Sequence, residues 1–293
     1  KPSELAPVSS LVLAALATEA GLPAGVVNVV TGGPVTGMEL CGAEDIHYID
    51  LTGGTETGRK VAAQAGERLI RSTMELGGKT SIIICEDADF DGAIAGALFS
   101  AFVASGQTCV SGSRFIVHSS IYDRFTDALA VRADAIVIGD PMAEITQMGP
   151  VISKASQVRC LRMIGKAKAD GAVQIAGLTS PDLTAPFDKG FYIRPTIFKD
   201  VQSDHELFLE EVFGPVISMT PYTTEAEALE LANTGNFGLG LSIWSRDIAR
   251  AHRLSLGVRG GVVWLNDHHR NDPRSVWGGV RDSGFGKENG WDA

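Results

Sequence analysis

The sequence predicts an α/β fold built on parallel sheets. Short apolar runs alternate along the chain with amphipathic or apolar stretches of about ten to fifteen residues, the spacing of strands joined by helical crossovers. Of its 293 residues, 44% are hydrophobic, which is ample for complete cores in one large domain or two ordinary ones. We find no internal repeat, low-complexity tract or linker run.

The elements of the first third are predicted in the following order. "VSSLVLAALATEAG" predicts an amphipathic helix closed by Gly21, and "GVVNVVTG" predicts a short apolar strand. "GMELCGAED" predicts a helix, "IHYIDLTGG" a strand running into a glycine loop, and "TETGRKVAAQAGE" a helix. "LIRSTMEL" and "TSIIICE" predict strands, and "DGAIAGALFSAFVASG" predicts an apolar helix.

The same alternation continues to the end of the chain. A strand is predicted at "RFIVH" and helices at "YDRFTDALAVRADAI" and "SKASQVRCLRMIGKAKADG". Strands at "VQIAG" and "PVISMTPY" are followed by a helix at "EAEALELANTG". The last three predicted elements are a strand at "LGLSIWS", a helix at "DIARAHRLSLG" and a strand at "GVVWLN".

Charge and cysteine content exclude several classes of protein. The net charge of −10 argues against a nucleic-acid partner or an anionic membrane surface, because both attract clustered Lys and Arg. Four cysteines are too few for a disulfide scaffold; they form no CxxC pair, and none lies at metal-finger spacing from a histidine, so no metal site is predicted. No apolar run is long enough for a transmembrane helix, and no signal peptide opens the chain. A reduced, cytoplasmic setting is expected.

One cysteine stands in an unusual setting. A lone cysteine is most often a small buried hydrophobe, which suits Cys41, Cys85 and Cys160. Cys109 instead lies in "ASGQTCVSGSR", a loop of small and polar residues that is expected to bury little and to bring backbone N–H groups close to a ligand. A thiol is mostly protonated at neutral pH, so a nucleophile here needs a base and oxyanion donors.

Carboxylates are the first candidates for that base, since no histidine is near Cys109 in sequence. "STMELGGKTS" places Glu75 at the end of an apolar strand, before Leu76, where α/β sheets bind ligands; the alternative is a surface carboxylate at a strand end. "FLEEVFGPVIS" places Glu210 and Glu211 before a turn and a strand. Alone, that pair is most simply explained as solvated.

The stretch "LTGGTETGRK" imitates a phosphate-binding loop. Gly53 and Gly58 have the right separation, but the Lys-Ser/Thr pair that would hold Mg²⁺ is replaced by Arg59 and Lys60. Nucleoside triphosphate hydrolysis is therefore disfavoured. A strand, a glycine turn and a helix N-terminus still make an anion site suited to a pyrophosphate.

Taken together, these motifs resemble the NAD(P)-dependent aldehyde dehydrogenase superfamily. The matching stretches are "MELGGK", "GQTC" followed by "GSR", "EEVFGPV", "LTGGTETG" and the opening "KPSE…GLPAGVVNVVTG", in the family's order and over nearly the whole chain. The resemblance implies that an aldehyde is oxidised to a carboxylic acid through a cysteine thiohemiacetal and thioester. It also implies hydride transfer to NAD.

The resemblance carries roles onto particular residues. Cys109 is implied to be the nucleophile and Glu75 the general base, while Lys79 and Arg114 are motif residues of structural value. Residues implied to bind the cofactor are Lys1 and Glu4 at the adenine ribose, Gly53 and Gly54 along the pyrophosphate, Leu76, and Glu211 with Phe213 at the nicotinamide. A carboxylate at Glu4 would repel a 2′-phosphate, so NAD is favoured over NADP, with Lys1 partly offsetting the repulsion.

The resemblance also predicts the organisation of the chain. Residues 1–77 are expected to be the remaining part of a Rossmann-type NAD-binding domain and 78–264 the α/β catalytic domain. Residues 265–293 are expected to form a substrate-tunnel loop and a return segment toward the cofactor domain. Family members carry a further N-terminal half and a final segment that pairs subunits. We therefore expect this chain to be a fragment, inactive alone, of a homodimeric or homotetrameric parent.

The substrate pocket is predicted from "WLNDHHRNDPRSVWGG". Trp277 matches an aromatic position that packs on substrate, which favours aromatic or medium-chain aldehydes, and Thr108 is placed in the same pocket. The stretch "DHHRND" reads as a solvated loop. Alternatively, Arg270 beside His268 and His269 binds a carboxylate or polar tail, or pairs with Asp267 or Asp272.

Two other classes of function remain open on the sequence. One is a non-catalytic protein that keeps the fold, disfavoured by the presence of Cys109, Glu75 and Glu211 together. The other is a cysteine-dependent hydrolase that uses the same thioester without a cofactor. Reduction of a nicotinamide cofactor by a panel of aldehydes separates these possibilities.

Overall fold

The computed structural model describes residues 1–291, in which helices and strands alternate as predicted. The helices are α1 (Val8–Glu19), α2 (Pro34–Gly42), α3 (Thr55–Glu67), α4 (Phe90–Phe102), α5 (Tyr122–Asp134), α6 (Lys154–Ala169), α7 (Glu206–Leu209), α8 (Glu225–Asn233) and α9 (Ile248–Gly257). The strands are β1 (Tyr48–Thr52), β2 (Arg71–Glu75), β3 (Thr80–Ile84), β4 (Gly112–His118), β5 (Val173–Ala176), β6 (Thr196–Lys199), β7 (Val216–Tyr222), β8 (Gly240–Trp244), β9 (Val262–Leu265) and β10 (Gly284–Phe285). The predicted α/β class with parallel sheets is confirmed.

The larger sheet has seven strands in the order β5-β6-β7-β4-β3-β8-β9. Its strand pairs are parallel except β5–β6, which is antiparallel. The central strand β3 is buried along its whole length, as expected for a parallel strand covered on both faces. Ile82 and Ile84 pack with α4 and α5 on one face, and Ile83 packs with α8 and α9 on the other.

The smaller sheet joins distant parts of the chain. β1 and β2 are parallel, with Thr52 opposite Glu75, and β10 is antiparallel to β2, with Gly284 opposite Glu75. Helix α3 covers this sheet through Val61 and Ala65. The carboxyl ends of β1 and β2 therefore lie side by side, and Glu75 is the last residue of the middle strand. The domain limits at residues 77 and 264 stay a prediction.

One predicted strand does not form. The valines of "GVVNVVTG" lie in irregular, exposed backbone; Val26, Val27 and Val30 are all exposed. Within residues 1–291, no other strand pairs with this segment, and an unpaired strand leaves its N–H and C=O groups without partners. The prediction was wrong because apolar β-branched residues favour a strand only where a neighbour completes its hydrogen bonds.

Helix α1 forms where it was predicted, but it is not amphipathic in its packing. It has no buried residue, and Leu11, Leu13 and Leu16 are all exposed. The apolar residues lie on several sides of the helix, so no single face collects them. None of the helices in the described part of the chain combines the length and apolarity needed to cross a membrane.

Three elements were missed by the sequence analysis. Strand β6 has four residues and follows Pro195, helix α7 has a single turn, and strand β10 has two residues. Elements this short carry too few residues for a periodic pattern. Their positions are fixed by neighbours far away in the chain.

Candidate active site

Cys109 lies in a tight turn between the end of α4 and the start of β4. The N–H of Ser111 donates to the carbonyl of Thr108 over 3.0 Å, and the two hydroxyl oxygens of these residues are 2.8 Å apart. The expectation that this loop buries little was wrong: Val110, Ser111 and Gly112 are buried, and Cys109 is half-buried. Small side chains here permit close packing of the turn.

The thiol of Cys109 is under the influence of two carboxylates. Burial, and then the negative charges of Glu75 and Glu211, raise the pKa of Cys109 to about 11. The backbone N–H groups of Cys109 and Val110 act in the opposite direction, because they stabilise the thiolate. The structure thus brings together the thiol and both carboxylates that the sequence selected. At neutral pH the sulfur carries its proton until a base removes it.

Glu75 is buried at the end of β2, with 3% of its surface exposed. The indole N–H of Trp277 donates to its Oε2 over 2.9 Å, and the N–H of Gly279 donates to Oε1 over 3.3 Å. Burial raises the pKa of Glu75, while these two hydrogen bonds lower it and only partly compensate. A buried carboxylate with a raised pKa is a stronger base than an ordinary surface glutamate.

Glu211 is held against the connection between β2 and β3. The N–H of Gly78 donates to Glu211 Oε1 over 2.8 Å, and a side chain at Gly77 would collide with Oε2. Burial raises the pKa of Glu211, and Gly78, Lys79 and Arg159 partly offset it. A Cβ at Gly78 would also collide with the carbonyl oxygen of Cys109. Because Gly77 and Gly78 have no side chains, the connection between β2 and β3 can contact both the Glu211 carboxylate and the turn at residues 108–111 that contains Cys109. We refer to this turn as the nucleophile turn.

The glycine loop after β1 reaches the same edge of the small sheet. The N–H of Gly53 donates to the carbonyl of Glu75 over 2.9 Å. Gly54 is the N-cap of α3 and supplies no side-chain acceptor, and a Cβ there would meet open space. The first N–H groups of a helix without a capping side chain are available to an anion. These residues fit the pyrophosphate of a dinucleotide.

Leu76 and Phe213 have structural surroundings of their own. The N–H of Leu76 donates to the carbonyl of Ser283 over 3.1 Å, and its side chain lies against Gly58 of α3. Phe213 adopts a left-handed backbone conformation with φ of 52°, which is uncommon for a non-glycine residue. Arg159 donates to the carbonyl of Val212 over 2.7 Å and supports this turn.

Lys1 and Glu4 lie apart from these groups. Both are exposed, and the Lys1 amine donates only to the carbonyl of Pro2, over 2.8 Å, within residues 1–291. The side chain of Lys1 lies beside Gly37 of α2. Their assignment to an adenine ribose stays a prediction.

The predicted pocket residues divide into two groups. Trp277 bonds Glu75, has its ring 6.1 Å from that of Trp264, and packs with Cys109 on one apolar cluster; Thr108 is in the nucleophile turn. Arg270 is exposed and pairs with Asp267 over 3.1 Å, as one of the alternatives foresaw. Arg270 lines a surface depression with Phe99 and Trp244 in which Cys109 takes no part.

The reading of "DHHRND" as a solvated loop was wrong for one residue. His268 is buried, with 4% of its surface exposed, and its Nε2 lies 2.7 Å from the carbonyl oxygen of Val110. Its partners come from remote parts of the chain. The only local signal was an apolar strand, "GVVWLN", directly before it.

The two motif residues predicted to be structural are both buried. Arg114 donates to the Ser81 hydroxyl over 2.8 Å and to two backbone carbonyls at the end of α8. Lys79 has no hydrogen-bond partner for its amine among the described residues, and burial lowers its pKa to about 7. Arg114 therefore ties β4 to α8 and β3, whereas Lys79 contributes mainly through packing and charge.

Comparison with known proteins agrees with the geometry. The model of the aldehyde dehydrogenase family matches residues 1–293. The chain belongs to the aldehyde dehydrogenase family. The resemblance first drawn from "MELGGK" and "GQTC" is confirmed.

Members of this family from several bacteria are similar to the chain over nearly all of its length. It is 43% identical over 290 residues to betaine aldehyde dehydrogenases of Brucella anthropi and Brucella melitensis, covering 99% of the chain. The chain spans 59% of the length of these aldehyde dehydrogenases.

Solved structures of similar proteins share the fold. A point mutant of betaine aldehyde dehydrogenase from Staphylococcus aureus, in complex with NAD⁺, superposes with a TM-score of 0.95 at 36% identity. PnpE in complex with nicotinamide adenine dinucleotide gives a TM-score of 0.95 at 39% identity. Each match covers 99% of this chain and 59% of the solved one.

Proposed function

We propose that this chain carries the thiol site of an NAD-dependent aldehyde dehydrogenase that oxidises an aldehyde to a carboxylic acid. The observation that carries the proposal is the meeting of the Cys109 thiol with the buried Glu75 carboxylate and the half-buried Glu211 carboxylate, beside a glycine loop and an uncapped helix N-terminus. A cysteine, a base and a dinucleotide cradle are the three parts that this reaction needs.

The first step is the formation of a bond between Cys109 and the substrate. Glu75, whose raised pKa makes it a competent base, takes the thiol proton directly or through water. The thiolate electron pair then forms the C–S bond with the aldehyde carbon, and the C=O electron pair moves to oxygen. The backbone N–H groups of Cys109 and Val110, which lower the pKa of the thiol, can stabilise negative charge that develops nearby.

The second step releases the acid. NAD, when bound, would supply the acceptor for a hydride from the thiohemiacetal carbon, and Cys109 would then hold an acyl thioester. Glu75 first releases the thiol proton to solvent. It then removes a proton from a water molecule, whose oxygen adds to the thioester carbon. The C–S bond then breaks, the carboxylic acid leaves, and the electron pair returns to the sulfur of Cys109.

NAD is the proposed cofactor. Gly53, Gly54 and the N-terminus of α3 suit a pyrophosphate, and the half-buried carboxylate of Glu211 suits a ribose hydroxyl. Phe213, two residues after Glu211, would contact the nicotinamide ring. Lys1 and Glu4 are assigned to the adenine ribose, where Glu4 favours NAD over NADP. NAD⁺ is bound in crystals of the relatives named above.

The proposed substrates are aldehydes with a sizeable apolar, aromatic or cationic body. The indole rings of Trp264 and Trp277 face the apolar cluster that includes Cys109, and aromatic faces attract both flat apolar groups and quaternary ammonium. Betaine aldehyde, which appears in the names of the bacterial relatives, carries a quaternary ammonium group. Thr108 and Trp277 are the residues we place beside the substrate; Arg270 is assigned to the surface.

The test is reduction of NAD by the protein at its full natural length. Wild-type protein should produce reduced nicotinamide with benzaldehyde, hexanal or betaine aldehyde, while Cys109→Ser should not. Cys41→Ala, which alters a half-buried thiol packed beside α3, serves as the matched control and should keep its activity. Thioester hydrolysis without NAD, and no NAD reduction with any aldehyde, would support the hydrolase alternative and overturn the proposal.

A further inference from the structure

His268 is buried beside the nucleophile turn, in a position that the proposed reaction leaves unexplained. Its ring centre lies 4.7 Å from that of Trp264, which belongs to the apolar cluster that Cys109 packs on. The loop it comes from follows β9, far from Cys109 in sequence. A polar ring is costly to bury unless its nitrogen atoms are hydrogen-bonded.

Both ring nitrogen atoms have partners. Nε2 lies 2.7 Å from the carbonyl oxygen of Val110, and because a carbonyl can only accept, Nε2 carries the proton. Nδ1 contacts the hydroxyl of Ser242. Burial lowers the pKa of His268 to about 4, so the ring is neutral at pH 7 and Nδ1 accepts from Ser242. The carbonyl oxygen of Asp267 lies 3.0 Å from the same hydroxyl and competes with Nδ1 of His268 for the Ser242 proton.

Ser242, the partner of His268 Nδ1, lies in a rigid part of the larger sheet. Ser242 is in the middle of β8, which pairs with β3 on one side and with β9 on the other. A chain of contacts therefore runs from the central sheet through Ser242 and His268 to the peptide that follows Val110. Gly78 packs directly against the carbonyl of Cys109. The two peptides after the nucleophile are each held by a different element.

We propose that His268 is a positioning residue for the nucleophile: by donating to the Val110 carbonyl it fixes the turn that places the Cys109 thiol. The inference rests on the proposed function for its kinetic consequences. Its structural part, the placement of the Cys109 thiol, is independent of turnover. His268 touches neither substrate nor cofactor in this role.

The test compares His268→Phe with His268→Gln in the full-length protein. Phenylalanine keeps the packing on Trp264 but has no donor, whereas glutamine keeps an N–H at a similar reach. The control is His118→Phe, which removes a histidine from the end of β4, where it contacts Tyr222 and Ser120 and no part of the nucleophile turn. Alkylation of Cys109 by iodoacetamide is followed by peptide mass spectrometry, beside kcat and the KM for NAD.

The expected result is a split between readouts. His268→Phe should lower kcat by roughly 10- to 100-fold through misplacement of the thiol, without a change in the KM for NAD. Its Cys109 should be alkylated faster, because a loosened turn exposes the thiol and lowers its pKa. His268→Gln should restore both readouts toward wild type, and His118→Phe should match wild type.

The outcomes separate this inference from the proposed function. Cys109 alkylated at the wild-type rate in His268→Phe, or equal behaviour of the Gln and Phe variants, would overturn the positioning role even if the enzyme is active. Absence of NAD reduction in wild type would overturn the proposed function, while the alkylation series would still decide the role of His268. If His268→Phe fails to fold, Ser242→Ala takes its place, with faster Cys109 alkylation expected and an unchanged rate contradicting the role.

Discussion

At Glu75, burial and hydrogen bonding act on the same carboxylate in opposite directions. Burial raises its pKa, and the donors Trp277 and Gly279 lower it without cancelling the effect. The ionised form, which is the proposed base, is therefore populated only above a raised pKa. Dehydrogenase activity should fall as the pH is lowered through that value.

Glu75→Gln tests this assignment directly. Glutamine keeps the size of the side chain but cannot take a proton, so thioester hydrolysis should slow by roughly 10²- to 10⁴-fold. The decline of kcat toward acid pH should disappear with the base. We would measure kcat against pH in both proteins; an unchanged acid limb in the variant would remove Glu75 from the role.

Trp277→Phe probes the hydrogen bond to the base. The indole N–H donates to Glu75 Oε2 over 2.9 Å and lowers the pKa of Glu75. Without that donor the pKa should rise further, so the acid limb of the pH profile should move to higher pH while an aromatic ring stays in the pocket. A limb that stays in place, or moves to lower pH, contradicts the assignment.

The sequence alone was enough to select the candidate nucleophile and base, but not the residues that hold them in place. Cys109 and Glu75 could be selected because each has an abnormal local setting, a thiol among small polar residues and a carboxylate at the end of an apolar strand. His268 could not, because its partners Ser242 and Val110 are 26 and 158 residues away. The burial of the nucleophile turn was missed for the same reason.

At the scale of elements, the connection between β2 and β3 determines the geometry of the site. It passes so close to Glu211 and to the carbonyl of Cys109 that Gly77 and Gly78 have no space for side chains. Glycine is needed here for close approach and not for a left-handed conformation, since neither residue has a positive φ. Glu211, which is assigned to the cofactor, and the turn that contains Cys109 both contact this connection.

Gly78→Ala should damage the site, and Gly66→Ala is its matched control. The added methyl group at Gly78 must push on the carbonyl of Cys109, which should lower stability by about 1–3 kcal/mol and reduce kcat by roughly 10²-fold. Gly66, within α3, has open space around its Cβ position, and alanine there should stabilise the helix by about 0.5–1 kcal/mol. Melting curves and kcat would be compared; equal effects of the two substitutions would refute the close-packing account.

The elements themselves were predictable where periodicity and length agree. The buried strands β3 and β8 follow their apolar patterns, as do the helices from α3 onward except the single turn of α7. The "GVVNVVTG" segment has an equally apolar pattern but no neighbouring strand among the described residues. β10 has two residues and is defined by its pairing with β2, which no local pattern encodes.

At the scale of the whole molecule, apolar side chains are unevenly distributed. The core of the seven-stranded sheet is closed on both faces, whereas α1 exposes its leucines, and Leu13 keeps 64% of its surface. Exposed apolar patches of this kind promote association. The exposed leucines of α1 therefore bear on the homo-oligomer that we propose for the full-length protein.

Replacement of Leu13 and Leu16 by glutamate should leave the fold intact. Side chains that are already exposed contribute little to folding, so the free energy of unfolding should change by no more than about 0.5 kcal/mol. Light scattering should show less self-association. Leu129→Glu, at a buried position in α5, is the comparison and should be severely destabilised. A similar loss of stability in both proteins would mean that the leucines of α1 are packed.

The most direct test of the central claim is to trap the acyl group on Cys109. Glu75→Gln protein, given an aldehyde and NAD, should form reduced nicotinamide in a burst and accumulate a thioester. Loss of the Glu75 charge lowers the pKa of the Cys109 thiol, so that water can take its proton, whereas the acyl transfer to water has lost its base. Peptide mass spectrometry should find the acyl group on the peptide that contains Cys109, and only when NAD is present. A burst of reduced nicotinamide without an adduct, or an acyl group on Cys41, Cys85 or Cys160 instead, would contradict the account.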